Sequence, residues 1–211
     1  MNEEATVVAR FVSRAPSIDD LEIWDQSPPV FIEHLWSGEA APPERHAGVR
    51  LCWSMEGLHA RFLCEQHEPL VIGNAPVTDK KTLGIWDRDV CEIFLAPDVT
   101  KPSKYYEFEA APTGEWVDLA ITLTPAGRQT EWDYSSGMKT TARVVYDKIV
   151  IEITIPWSRQ IPEPTAGDLW RVNLFRCVGP DPRDRYLAWR PTKTEEPNFH
   201  VPDVFGWLLF D

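Results

Sequence analysis

Several polar and aromatic residues of this chain stand where strand-like runs begin or end, positions from which a side chain can reach a ligand. Trp86 follows KKTLGI and precedes the charged run Asp87-Arg88-Asp89, so it belongs to a loop entering VCEIFL. Trp189 closes a short apolar run before Arg190-Pro191, where the chain must leave a sheet. An indole outside the core leaves a large apolar area in water, so it is better explained by binding than by stability. Glu92 lies on the run that the Trp86 loop feeds. Glu107 and Glu109 alternate in YYEFE, and Asn173 and Arg176 belong to WRVNLFR, next in sequence to the run carrying Trp189. Carboxylates on adjacent strands could act as an acid–base pair; hydrolysis of a glycosidic bond needs two, separated by ~5–5.5 Å or ~6.5–9.5 Å. The structural alternatives are a surface charge for Glu92, an edge salt bridge for Arg176 and a turn or bulge amide for Asn173.

The elements that position these residues have period two. Runs at Val7–Val12, Val49–Met55, Leu58–Glu65, Val90–Leu95, Tyr105–Ala111, Val117–Leu123, Thr140–Val145, Ile149–Ile155, Trp170–Arg176, Tyr186–Trp189 and Gly206–Phe210 read as strands. Ile149–Ile155 is the clearest, with four isoleucines on one face and Val150, Glu152 and Thr154 on the other, which is expected to look outward. Nineteen prolines and eleven glycines punctuate the joints. A single short helix is expected between Ile18 and Gln26, capped by Ser17 or Asp19. This pattern predicts an all-β, antiparallel β-sandwich of jelly-roll or immunoglobulin-like type with about eleven strands, residues 1–211 forming one domain. With 43% hydrophobic residues the chain can bury one large core. Of its ten tryptophans, Trp53, Trp116 and Trp170 alternate with strand residues and are assigned to that core, while Trp24, Trp36, Trp132 and Trp157 fall in loops or at element ends.

The segments WDRDVCEIFL, YYEFEAAPTGEW, the run ending IPW at Trp157, WRVNLFR and AWRPTKTEEPNFHVPDVFG, in this order from about Gly48 to Phe210, resemble the family 9 carbohydrate-binding modules, of the DOMON-like superfamily. The resemblance implies a β-sandwich that holds a sugar between two tryptophans without cutting it, in association with polysaccharide degradation. A pyranose offers axial C–H groups to an indole face and hydroxyls around its edge, so two rings grip while polar groups read the rim. By resemblance Trp86 and Trp189 are the walls, and Glu92, Asn173 and Arg176 the rim. Glu107 stands where modules attached to xylanases would carry a sugar-binding arginine. An acidic strand there points to a different sugar.

A net charge of −12 disfavours nucleic acid and anionic membranes as partners. The acidic amino terminus lacks a secretory pattern, so as written the chain is expected in the cytoplasm, or outside it if a leader was removed. Cys52, Cys64, Cys91 and Cys177 match no zinc spacing. A hairpin turning at Glu56-Gly57 would put Cys52 and Cys64 on opposite faces and Met55 on the core face, leaving four reduced thiols. The superfamily also holds haem domains, which would call on His200 with Met55 or Met138. Structural calcium, common in the family, would draw on Asp87, Asp89, Asp98, Asp181 and Asp184. An enzyme acting on glycosyl bonds through Glu92, Glu107 and Glu109 is the other alternative; no GxSxG elbow is present.

Overall fold

The computed structural model describes residues 5–211; the acidic start of the chain, used in the leader argument, lies outside them. Fourteen strands follow one another: β1 (Thr6–Phe11), β2 (Val30–Ile32), β3 (His34–Leu35), β4 (Ala47–Ser54), β5 (Gly57–Glu65), β6 (Val90–Ala96), β7 (Lys104–Ala110), β8 (Trp116–Thr124), β9 (Gly127–Glu131), β10 (Lys139–Val145), β11 (Lys148–Pro156), β12 (Leu169–Cys177), β13 (Tyr186–Ala188) and β14 (Gly206–Phe210). The hydrogen-bonded path runs β10-β11-β5-β4-β1-β14-β12-β6-β7-β8-β9 without closing into a barrel. Its two halves face each other as a β-sandwich. Leu51, Phe62, Ile151 and Ile153 from one half share a core with Ile93, Phe108, Val172 and Leu174 from the other.

All eleven expected strands form. Those missed are β2 and β3, too short to show a period, and β9 (GRQTE), an exposed edge strand without an apolar face. The pairing is antiparallel except at β1, which runs parallel to both β4 and β14 and so joins the two halves. The helix shrinks to α1 (Leu21–Trp24). Its N-cap is Asp20, not Ser17 or Asp19, and the Asp20 carboxylate is turned back to the Ser17 N–H and the Arg14 guanidinium.

The expected β4–β5 hairpin forms with its register shifted by two. Ser54 pairs with Gly57, so Met55-Glu56 is the turn, and Met55 is 68% exposed instead of facing the core. Gly57 serves a different purpose, since a Cβ there would collide with the Ile155 backbone on β11. A shift of two residues preserves every face. Leu51, Trp53, Leu58, Ala60, Phe62 and Cys64 therefore still point into the core, and Cys52 points away to pack under Val12 and Trp24.

The outer face of β4, β5 and β11 is not open to solvent as expected. The segment carrying α1 lies over it. Arg61 donates to the Ile18 carbonyl and pairs with Glu152 at 2.5 Å, and its guanidinium lies 5.9 Å from the Trp24 ring centroid. Glu152 is consequently buried, and burial pushes its carboxyl up to about 6.

Candidate functional site

The outward face of the other half bears a second apolar layer. On β6, Cys91, Ile93 and Leu95 enter the central core, leaving Val90, Glu92, Phe94 and Ala96 on the far side; on β7, Tyr105, Glu107 and Glu109 share that side. The register places Glu109 opposite Glu92 on β6 and opposite Val117 on β8, and Glu107 between Phe94 and Leu119. Three carboxyl groups thus form one patch framed by apolar residues, the result of alternation in VCEIFLA and KYYEFEA.

Loops turn this patch into a hollow of about 290 Å³. Trp86, on the helical turn Ile85–Asp87, stands on one side with Trp132, which follows β9; their ring centroids are 6.4 Å apart and inclined by 41°. Tyr186, Phe199 and His200 close the other side, and Arg128, Thr130 and Asn198 complete the lining. Phe199 is stacked on Phe175 at 4.0 Å, and His200 is held by Tyr105, whose hydroxyl lies 2.8 Å from Nδ1.

Burial dominates the electrostatics. It pushes Glu92 up to about 8, assisted by the charge of Glu107, and raises Glu107 and Glu109 as well. The Cys177 thiol donates to Glu92 Oε1 at 3.3 Å, whereas Glu107 Oε2 and both oxygens of Glu109 have no hydrogen-bond partner. His200 Nδ1 is 3.9 Å from Glu107 Oε2, but burial lowers this imidazole to about 3, so it is neutral.

Of the residues singled out in the sequence, Trp86, Glu92 and Glu107 meet in this hollow. Trp189 does not join them: it lines a separate, larger hollow of about 480 Å³ with Arg171, Arg190, Lys193 and Asp203, so the paired walls Trp86 and Trp189 are not assembled. Its ring lies against Gly206, where a Cβ would come within 2.5 Å of Cη2. Asn173 is fully buried, its Oδ1 accepting from the Leu174 and Arg190 N–H groups and its Nδ2 donating to the Arg190 carbonyl. It positions the chain after Trp189, as a structural amide does. Arg176 points into the sandwich, donating to the Arg45 and His46 carbonyls and to Gln66 Oε1. Alternation on β12 explains this: Phe175 and Cys177 take the hollow's side and Arg176 the opposite one. Trp132, Arg128 and Phe199 were not foreseen as site residues. The aromatic residue directly after GRQTE and the proline-framed PNFHVP were the available signals.

The alternative ligand sets are dispersed. Neither Met55 nor Met138 lines the hollow of His200; Met138 belongs to the central core. Asp89 accepts from the Val71 and Gly179 N–H groups, Asp98 from Thr100, Asp181 from Arg183, and Asp184 pairs with Arg45. Among the described residues no three His, Cys, Asp or Glu side chains are grouped to hold a metal ion. All four cysteines are free and buried.

Fold and site together define an open β-sandwich carrying an aromatic-walled, acid-floored hollow on one outer face. Residues 18–211 match the profile "Carbohydrate family 9 binding domain-like", and the chain belongs to that family. Its fold is shared by a proposed carbohydrate-binding protein from Bacteroides uniformis ATCC 8492, with TM-score 0.69, 18% identity, and coverage of 98% of this chain and 99% of that one. A family 9 module from Caldicellulosiruptor kristjanssonii in complex with glucose gives TM-score 0.63 at 16% identity over 98% of this chain and 96% of that chain. A family 9 module from the same organism in complex with cellotriose gives TM-score 0.63 at 15% identity, over 98% of this chain and 94% of that chain. No curated protein matches the chain. Among the described residues no helix is long and apolar enough to cross a membrane.

Proposed function

We propose that this chain binds carbohydrate without cleaving it, taking a monosaccharide or the end of an oligosaccharide into the hollow between Trp86, Trp132 and Phe199, as a partner to polysaccharide breakdown. The observation that carries this reading is the hollow itself. Its volume of about 290 Å³ is at the small end of ligand pockets, ~300–1,000 Å³, a size for one sugar ring. Aromatic faces supply surfaces for axial C–H groups, and the carboxyls, Asn198 and His200 supply partners for hydroxyls. The complexes of the C. kristjanssonii modules with glucose and cellotriose support the same ligand class.

Hydrolysis is the weaker reading. A glycosidase needs one carboxyl kept protonated and another kept ionised. Burial raises all three here, though Glu109 and Arg128 offset the rise at Glu107, and survival of oligosaccharides on incubation with the chain decides for binding.

Calorimetric titration of glucose and cellotriose into the wild-type chain and single variants tests the proposal. Trp86→Ala and Trp132→Ala should fold and each weaken binding by at least ~0.5–1.5 kcal/mol, the value of an oriented aromatic contact. Trp189→Ala should not change affinity. Unchanged binding in both hollow variants, with loss in Trp189→Ala, would move the site to the other hollow.

A further inference from the structure

Resting on the carbohydrate reading, we infer that the hollow selects an unacetylated amino sugar, whose ammonium group is received by Glu92, Glu107 and Glu109. Neutral hydroxyls do not account for this floor. A sugar hydroxyl is served by a mixture of donors and acceptors, yet three acids stand together on paired strands, with Glu109 lining the hollow completely buried and neither of its oxygens receiving an N–H or O–H from a residue outside this acidic trio. Unpartnered buried carboxyl oxygens are costly unless a donor arrives to meet them. An ammonium brings three N–H donors and a positive charge in one compact group, and its bonds to carboxylates are of the strong, charge-assisted kind.

Arg128 lines the hollow and its charge lowers Glu107, but no hydrogen bond joins it to the three acids. His200 is neutral, and Arg128 is exposed on the edge strand β9. Arg185 is engaged by the Asp87 and Arg88 carbonyls, and Asp87 adds further negative charge near Glu109. The walls agree with the floor. Indole faces attract cations as well as the C–H groups of a sugar ring, so Trp86 and Trp132 suit a ligand that is cationic and saccharide at once.

The acids hold protons in the empty site, since burial keeps Glu92 at about 8 and raises its two neighbours. Binding an ammonium replaces a proton by a cation, and the proton leaves to buffer. A neutral sugar requires no such exchange.

The test is calorimetric titration of the full chain at about pH 6.5, where a primary amine is protonated, with glucose, glucosamine and N-acetylglucosamine. Glucosamine should bind about ten-fold or more tightly than glucose, the scale of one charge-assisted contact. Repetition in buffers of different ionisation heat should show proton release with glucosamine only. Glu109→Gln, and independently Glu107→Gln should the first fail to fold, should abolish this preference while retaining glucose. Equal affinity for glucose and glucosamine overturns the inference and leaves the carbohydrate reading standing. Failure of all three sugars to bind overturns both.

Discussion

Glu92 shows how one side chain can be legible in type and illegible in state. Its place on VCEIFLA and its closeness to Trp86 are sequence properties; its protonation is not, because it depends on burial in the folded chain and on β7 bringing the charge of Glu107 near, with the Cys177 thiol of β12 acting the other way. Held at about 8, above the ordinary 4.5, Glu92 contributes stability that is complete below about 4.5 and lost as pH rises toward 8. The groups acting on or facing it are Glu107, Glu109, Cys177 and Arg185, and the two glutamates are raised in the same direction. His59 at about 4 and His200 at about 3 act oppositely, their contribution being present above 6.5 and lost on acidification. Melting followed by circular dichroism should therefore show wild-type stability declining between about pH 5 and 8, and a shallower decline in Glu92→Gln. Equal slopes would show that Glu92 ionises freely in the folded state.

At the scale of elements, two junctions can be probed. The segment carrying α1 is tied to the outer face of β5 and β11 through Arg61 and Glu152, a pair with both partners largely buried. Arg61→Ala should cost ~3–5 kcal/mol in urea unfolding, because a buried carboxylate would be left without its partner. A loss below that of an exposed ion pair, ~1 kcal/mol, would mean the segment lifts away readily. The second junction joins the halves: Cys64 of β5 and Cys91 of β6 bring their sulfurs to 3.5 Å across the central core. Four thiols should titrate after denaturation without reductant. Gentle oxidation of the folded chain should couple Cys64 to Cys91 before any other pair, leaving two, as peptide mapping would show. Coupling that involves Cys52 first would contradict the hairpin faces.

For the molecule as a whole, binding without cleavage predicts that xylo-, cello- and gluco-oligosaccharides survive prolonged incubation between about pH 4 and 8. Chromatographic release of shorter sugars, lost in Glu107→Gln, would establish a hydrolase. Core substitutions should behave differently from those in the hollow: Trp53, packed edge-on against Phe210 at 5.9 Å, should cost ~3–5 kcal/mol when cut to alanine. What the sequence determined alone was whatever local alternation encodes. Period two marked eleven strands, the isoleucine face of β11 identified the core, and the parity of the β4–β5 hairpin survived a misplaced turn because a slip of two residues leaves faces unchanged. The same alternation put Glu92, Glu107 and Glu109 on β6 and β7, so the hollow's floor was within reach of sequence reading. Its walls were not. Trp132 follows an exposed edge strand with no apolar signature, and Trp189 is indistinguishable in local pattern from Trp86. Only the order in which strands pair sends one to the acidic hollow and the other against Gly206. Arg176 likewise had to choose a side of β12, and the carbonyls of Arg45 and His46, more than a hundred residues away in sequence, are what make the inner side favourable. Partners that distant enter the energetics only after folding has brought them together.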